Sequence, residues 1–467
     1  MTVSEGLLYY VPLVLAIICL VWYTILWSLG LLGCRTARRR YRSRPRSPLA
    51  SADPSSVPGV SILRPLKGLD PNLYENLEST FTQEYPNFEI FLCVESEHDQ
   101  ALGVVRELVA KYPRVNAHIF IGAETVGTNP KINNLIRAYR QAANDILWVL
   151  DSNVSAAPGT LARSVDILAP PPRVTSTQKR RIALVHHVPL AYATEHTLGS
   201  RIEEAFLNTN HAKMYLAINT VGLDSCVVGK SNLYRKSDLE RVDGTLKPHG
   251  DAQDFPHGTG LAAFGRFLAE DNMIGQAVWK ELDLRHDLSC DVARTSVGSM
   301  SFYDYILRRI RWLRLRRQML ALIVTIVEPF TESVFLGSLT SISLYYLFSI
   351  PVWFFLPVHF VLWITVDVDV YASLAGHPVA FEPGWWPFLG AWVLRECLAF
   401  PIWFYALWGS DILWRGKTYA VTQDGEVTLQ GNASGRPATN KQRSVWHLLP
   451  FFRTRNDHYE PLELAHD

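Results

Sequence analysis

The sequence predicts an α/β domain on a parallel sheet, held between an N-terminal transmembrane helix and C-terminal membrane segments. Three observations carry this. Apolar residues crowd the two ends of the 467-residue chain, and charge gathers between them. In the middle, short continuous apolar runs alternate with helical patterns, as they do when helices cover both faces of a parallel sheet. Carboxylates fall just past two of those runs, Glu95 after FLCV and Asp151 after ILWVL. Beyond the carboxyl ends of strands is where such sheets bind ligands.

Composition narrows the class. Hydrophobic residues make up 48% and charged residues 19%, with 14 Trp, which is too apolar for a disordered chain. Lys+Arg 45 against Asp+Glu 44 leaves a net charge of +1, so no global field draws the chain to nucleic acid. The six cysteines are scattered without a CxxC pair, which argues against a zinc site or a disulfide framework and fits a reducing compartment.

The elements follow in order. Residues 7–32 are almost uncharged, long enough for the about 20 residues that a bilayer core requires. The preceding MTVSEG has no basic region and no cleavage pattern follows, which argues against a signal peptide. Residues 1–34 are therefore expected to be the anchor. Arg35, Arg38, Arg39, Arg40, Arg42, Arg44 and Arg46 come next, and such a flank stays on the cytosolic side and can rest on anionic headgroups. With the Ser/Pro-rich stretch behind it, 35–58 reads as a linker. Over 59–300, VSILRPL, FEIFLCV, AHIFIG and DILWVLD read as strands, and 72–81, 100–111 and 131–143 as helices. YDYILRRIRWLRLRRQML, within 301–320, spaces apolar residues helically between arginines and suits an interfacial helix. Residues 321–412 hold spanning candidates at 331–350, 352–366 and 386–408. The last contains Arg395 and Glu396, which must pair or face a cavity, so it is either re-entrant or bundle-facing. Residues 413–467 form a polar tail.

VSILRPLKG, NPKINNL, ILWVLDSN, ALVHHVPL, VVGKSNLYRK, LAEDNMIG and RRIRW occur in an order that resembles family 2-like and family 21 glycosyltransferases of the GT-A fold, a Rossmann-like mixed sheet. The resemblance runs from about Val60 to Trp312 and points to ceramide glucosyltransferases, fungal ones included. It implies transfer of glucose from UDP-glucose to the primary hydroxyl of ceramide with inversion, at a Golgi or ER membrane, by a multi-pass protein whose catalytic domain faces the cytosol. Its partners would be UDP-glucose, ceramide and the lipid bilayer.

The family pattern D, D, D, (Q/R)xxRW is carried over position by position. Asp151 matches the second aspartate, implied to hold Mg²⁺ or Mn²⁺ on the nucleotide diphosphate. That triplet reads Asp151-Ser152-Asn153, with one carboxylate only, so the ion would draw further oxygen from water and diphosphate. Asp271 matches the third aspartate, the general base, with adjacent Glu270 as its rival. Ser96 stands where the first aspartate is expected, and Glu95 beside it becomes the candidate donor contact. Arg308 and Arg311 satisfy RxxRW and are implied to bind the diphosphate, with Trp312 near the acceptor. Lys131 resembles a diphosphate contact, Gly229 a glycine admitting the acceptor, and His186 a histidine at the acceptor site. Two readings stay open beside this one: a polyprenyl-phosphate or polysaccharide transferase, and a non-catalytic membrane scaffold with a degenerate transferase domain.

Overall fold

The computed structural model describes residues 3–169, 180–248, 255, 258–319, 326–379, 381, 384–409, 411–414, 417–422 and 425–429. Helix α1 spans Val3–Tyr41, passing through the arginine run. Seven residues expected in the linker are therefore helical, and Ala37 and Tyr41 are fully buried. The reason is that these arginines have protein partners. Arg40 Nη1 lies 2.7 Å from Asp287, while Arg38 and Arg42 reach Asp369 at 2.6 and 2.8 Å.

The strands of the central domain are β1 (Val60–Leu66), β2 (Phe88–Val94), β3 (Asn116–Ile121), β4 (Ile146–Leu150), β5 (Val154–Ser155), β6 (Ile182–Ala193), β7 (Ser231–Arg235) and β8 (Arg285–Val297). They form one eight-stranded sheet in the order β3-β2-β1-β4-β7-β6-β8-β5. Helices α2 (Leu73–Phe81), α3 (Ala101–Lys111) and α4 (Pro130–Gln141) connect the first four strands. These single-helix crossovers make β1–β4 parallel. Beyond β4 the sheet turns mixed, as the resemblance to the GT-A fold implies: β7 runs antiparallel to both β4 and β6, and β6 runs parallel to β8. Here helices α5 (Thr160–Leu168), α6 (Leu198–Phe206) and α7 (Ala212–Val221) intervene, and no repeat of the β–α–β unit imposes a direction. The result is a mixed sheet.

Alternation along the strands sorts side chains to two cores. Ile62, Leu66, Ile90, Leu92, Trp148 and Leu150 pack on one face together with residues of α2, α3 and α5. Leu63, Phe91, Cys93, Leu147 and Val149 pack on the other with α4 and residues Met273, Ile274 and Ala277. Those three belong to α10 (Glu270–Lys280), which follows two one-turn helices, α8 (Lys236–Leu239) and α9 (Gly260–Ala263).

Helix α11 (Phe302–Met319) carries the arginine-rich segment, followed by α12 (Ser333–Phe348), α13 (Val352–Ala375) and α14 (Trp385–Leu407). Among the described residues two helices, over Tyr10–Tyr41 and Val352–Ala375, are long and apolar enough to cross a membrane, and α12 is a shorter apolar helix. The chain is accordingly a membrane protein. Leu26, Ile202, Tyr305, Ile310, Trp363, Trp392 and Ile402 share one core, so α11 packs both on α6 of the α/β domain and on the C-terminal helices. Of the two readings of 386–408, the structure takes the bundle-facing one: α14 is unbroken, and Arg395 reaches Glu396 at 2.5 Å and Glu332 at 2.7 Å. All six cysteines are free. The region expected to be a polar tail begins inside a three-stranded sheet of β9 (Asp411–Trp414), β10 (Lys417–Val421) and β11 (Val427–Leu429). Glu426 ties this sheet to the domain through Arg266 at 2.8 Å, and residues 430–467 lie outside the described residues.

Candidate active site

Helix α4 opens on Asn129-Pro130, a side-chain cap followed by a residue that needs no N–H there. Asn129 Oδ1 accepts from the Lys131 amide at 2.8 Å. Its Nδ2 donates to Glu270 Oε2 at 2.8 Å and to the Phe267 carbonyl at 2.7 Å. One buried amide thus joins the start of α4 to the start of α10. Lys131 Nζ then stands 2.8 Å from Asp151 Oδ1, 2.9 Å from Glu270 Oε1 and 3.3 Å from the Gly229 carbonyl.

Asp151 follows β4, and its amide donates to the Lys230 carbonyl at 3.1 Å, extending the β4–β7 pairing by one step. That step brings the Lys230 ammonium to 3.0 Å from Asp151 Oδ2 and 3.0 Å from Asn153 Oδ1. Burial alone would raise the Asp151 carboxyl, but the two lysines outweigh it and pull it down to about 2. Lys131 shows the converse: burial opposes its charge, yet Asp151, Glu270 and Asp271 hold it well above the usual lysine range. The turn after Asp151 is clamped from below by Arg64, whose buried guanidinium donates to the Val154 carbonyl at 3.1 Å from both terminal nitrogens. Ser152 donates to Asp70.

The adjacent carboxylates Glu270 and Asp271 have different surroundings. Glu270 has both oxygens committed, one to Lys131 and one to Asn129. Asp271 faces Gly229 so closely that a β-carbon there would stand 2.6 Å from Asp271 Oδ2. Burial first, then the negative charges of Glu270 and Asp151, push the Asp271 carboxyl up to about 7 against the pull of Lys131. A carboxylate poised there is matched to accepting a proton near neutrality.

His186 has no exposed surface. Its ring bonds to the Tyr215 hydroxyl and, at 3.2 Å, to His286, and burial holds it well below the usual histidine range. The Val228 amide donates to that same Tyr215 hydroxyl at 3.1 Å. His186 therefore stands behind the Val228–Gly229 backbone, so any effect on an acceptor runs through Tyr215. On α11, Arg308 Nε donates to the buried Glu203 at 2.8 Å, and the Arg308 guanidinium lies 5.3 Å from the Trp312 ring. Trp312 meets His211 edge-on at 6.2 Å, and His211 stacks on Tyr215 at 5.7 Å. A line of rings thus connects RRIRW to the Gly229 loop. Arg311, one turn from Arg308 on the same helix, is partly exposed.

Glu95 sits past β2, half-exposed, and pairs with Lys67 at 2.5 Å. The structure gathers Lys131, Asp151, Gly229 and Asp271, with Glu270, into one cluster; Glu95, His186 and Arg308 bond to other partners around it. Sequence reasoning missed Asn129, Lys230, Arg64, Tyr215 and Glu203. Lys230 was open to discovery as the neighbour of Gly229, and Asn129 as a cap before proline. The others carry no local signal.

Among the described residues no three His, Cys, Asp or Glu side chains are grouped to hold a metal. Asp151 and Asn153 nonetheless offer two hard oxygens to one point, now shared by an ammonium. That donor chemistry fits Mg²⁺ or Mn²⁺ with water and phosphate completing the shell.

The glycosyl transferase family 21 model matches residues 20–427. A ceramide glucosyltransferase of Komagataella phaffii is 37% identical over 466 residues, covering 88% of this chain and 91% of that one. Those of Candida albicans and Gibberella zeae are 31% and 33% identical, covering 87% and 86% of this chain and 96% and 90% of theirs. A solved mannosyltransferase from Pyrobaculum calidifontis, in complex with GDP-Man and Mn²⁺, is 18% identical over 84% of this chain and 95% of its own, at a TM-score of 0.41. With its mixed α/β sheet, its membrane helices and a family match across most of its length, the chain belongs to glycosyl transferase family 21, together with the ceramide glucosyltransferases.

Proposed function

We propose that this enzyme transfers glucose from UDP-glucose to the primary hydroxyl of ceramide, with inversion at the anomeric carbon, giving glucosylceramide. The observation that carries the mechanism is the Asp271 carboxyl, raised to about 7 against the backbone of Gly229. As the acceptor oxygen attacks the anomeric carbon, Asp271 takes its proton and the bond from that carbon to the diphosphate breaks. Lys131, fixed by Asn129 and Glu270, stands ready to meet the departing diphosphate without reorganising. Arg308 and Arg311 add positive charge from the membrane side, and Trp312 lies beside the acceptor path. A divalent cation held by Asp151 and Asn153 would supply further neutralisation of the leaving group.

The same reading places Glu95 at the donor nucleotide. The arginines at the end of α1 support a cytosolic catalytic domain, in a Golgi or ER membrane. The test is incubation of the purified full chain, in lipid, with radiolabelled UDP-glucose, UDP-galactose and GDP-mannose, against ceramide, polyprenyl phosphate and no lipid acceptor. Labelled glucosylceramide from UDP-glucose alone is expected. Label on polyprenyl phosphate, or none on any lipid, overturns the assignment.

A further inference from the structure

The two lysines on Asp151 are held differently. Lys131 Nζ has Asp151 at 2.8 Å, Glu270 at 2.9 Å and the Gly229 carbonyl at 3.3 Å, so leaving Asp151 would still leave it two partners. The bonds of Lys230 Nζ both go to one triplet, Asp151 Oδ2 and Asn153 Oδ1, each at 3.0 Å. Those are the two oxygens that fit a divalent cation. The Lys230 backbone is fixed opposite Asp151 by the 3.1 Å amide–carbonyl bond beside the β4–β7 pairing, which keeps the side chain within reach of the triplet. An ammonium and a divalent ion cannot share these oxygens, because like charges at such a separation repel strongly.

We propose that Lys230 is a built-in counter-cation of the Asp151-Ser152-Asn153 triplet, which a divalent ion must displace and which the incoming diphosphate then accepts. This rests on the reading of Asp151 as the cation-holding residue of a nucleotide-diphosphate site. Metal and nucleotide binding are coupled as a consequence: diphosphate gives the released ammonium a new partner, so each ligand strengthens the other. Without nucleotide, Lys230 keeps Asp151 compensated and the metal weakly bound.

The experiment is Mn²⁺ titration of the full detergent-solubilised chain by electron paramagnetic resonance, with and without UDP, in the absence of acceptor. Wild type should bind Mn²⁺ weakly alone and markedly tighter with UDP. Removing the ammonium in Lys230→Met should tighten nucleotide-free Mn²⁺ binding about tenfold or more and shrink the enhancement by UDP. Lys230→Gln, which keeps a polar contact to Asn153, repeats the measurement should the methionine variant fold poorly. Lys230→Arg should behave as wild type, and Asp151→Asn should lose the site. If neither uncharged variant binds Mn²⁺ more tightly than wild type, or if their enhancement by UDP is undiminished, the proposal is overturned. Because no sugar or lipid enters the assay, that failure is separate from failure of the ceramide assignment.

Discussion

Gly229 and Asp271 face each other with no room for a side chain between them: a β-carbon on Gly229 would lie 2.6 Å from Asp271 Oδ2 and 2.7 Å from Asp271 Cγ. The glycine is needed for this close approach. In Gly229→Ala either the carboxylate rotates away or the loop that carries Lys230 retreats. Misplacing a general base by about 1 Å can cost on the order of 10²-fold, so kcat should fall steeply while the melting temperature changes little. Single-turnover rates and thermal melts of the variant check this; unchanged turnover would remove Gly229 from the site.

The acid limb of the pH profile should belong to Asp271. Its ionised form is the base, so kcat rises as pH passes through about 7 and then levels. Glu270 contributes to that elevation; Glu270→Gln should therefore move the limb to lower pH, and Asp271→Asn should lower kcat by about 10². The stability sign is opposite to the activity sign. The folded carboxyl holds its proton above the ordinary value of 3.8, so its contribution is present at low pH and lost as pH rises toward about 7. Asp271→Asn should flatten that loss in a series of melts from acid to neutral pH.

Glu95 tests a substitution inside the family pattern. Its carboxylate is paired with Lys67 at 2.5 Å and is half-exposed, which leaves it accessible to a ligand. Glu95→Ala should weaken UDP-glucose binding far more than Ser96→Ala, measured by calorimetry. The reverse ranking would reassign the contact to Ser96.

The charges buried among the C-terminal helices should matter for folding. Arg395 is 2% exposed and is paired with Glu396 and Glu332, and Ser333 donates to Glu396. Arg395→Met would strand the buried Glu396 and the partly buried Glu332 at a cost of about 3–5 kcal/mol. A large drop in melting temperature in detergent is expected, with the pH limb of the surviving activity unmoved.

What the sequence determined by itself is local. Val60–Leu66 and Phe88–Val94 were legible residue for residue as strands, because short, largely apolar runs with β-branched or aromatic residues at alternate positions favour a strand over a helix. Asp151 and Asp271 were singled out by their motifs as candidate site residues. The tertiary structure decided what depends on distance across the chain. Nothing local says that β7 turns antiparallel, yet that reversal brings Lys230 onto Asp151, 79 positions away. Nothing local separates Glu270 from Asp271; Asn129, 141 positions earlier, occupies Glu270 and leaves Asp271 facing Gly229. The end of α1 was misjudged for the same reason, since its arginines are helical where distant Asp287 and Asp369 meet them. Backbone periodicity is set by neighbours in sequence, whereas a buried charge is tolerable only where the fold supplies its partner.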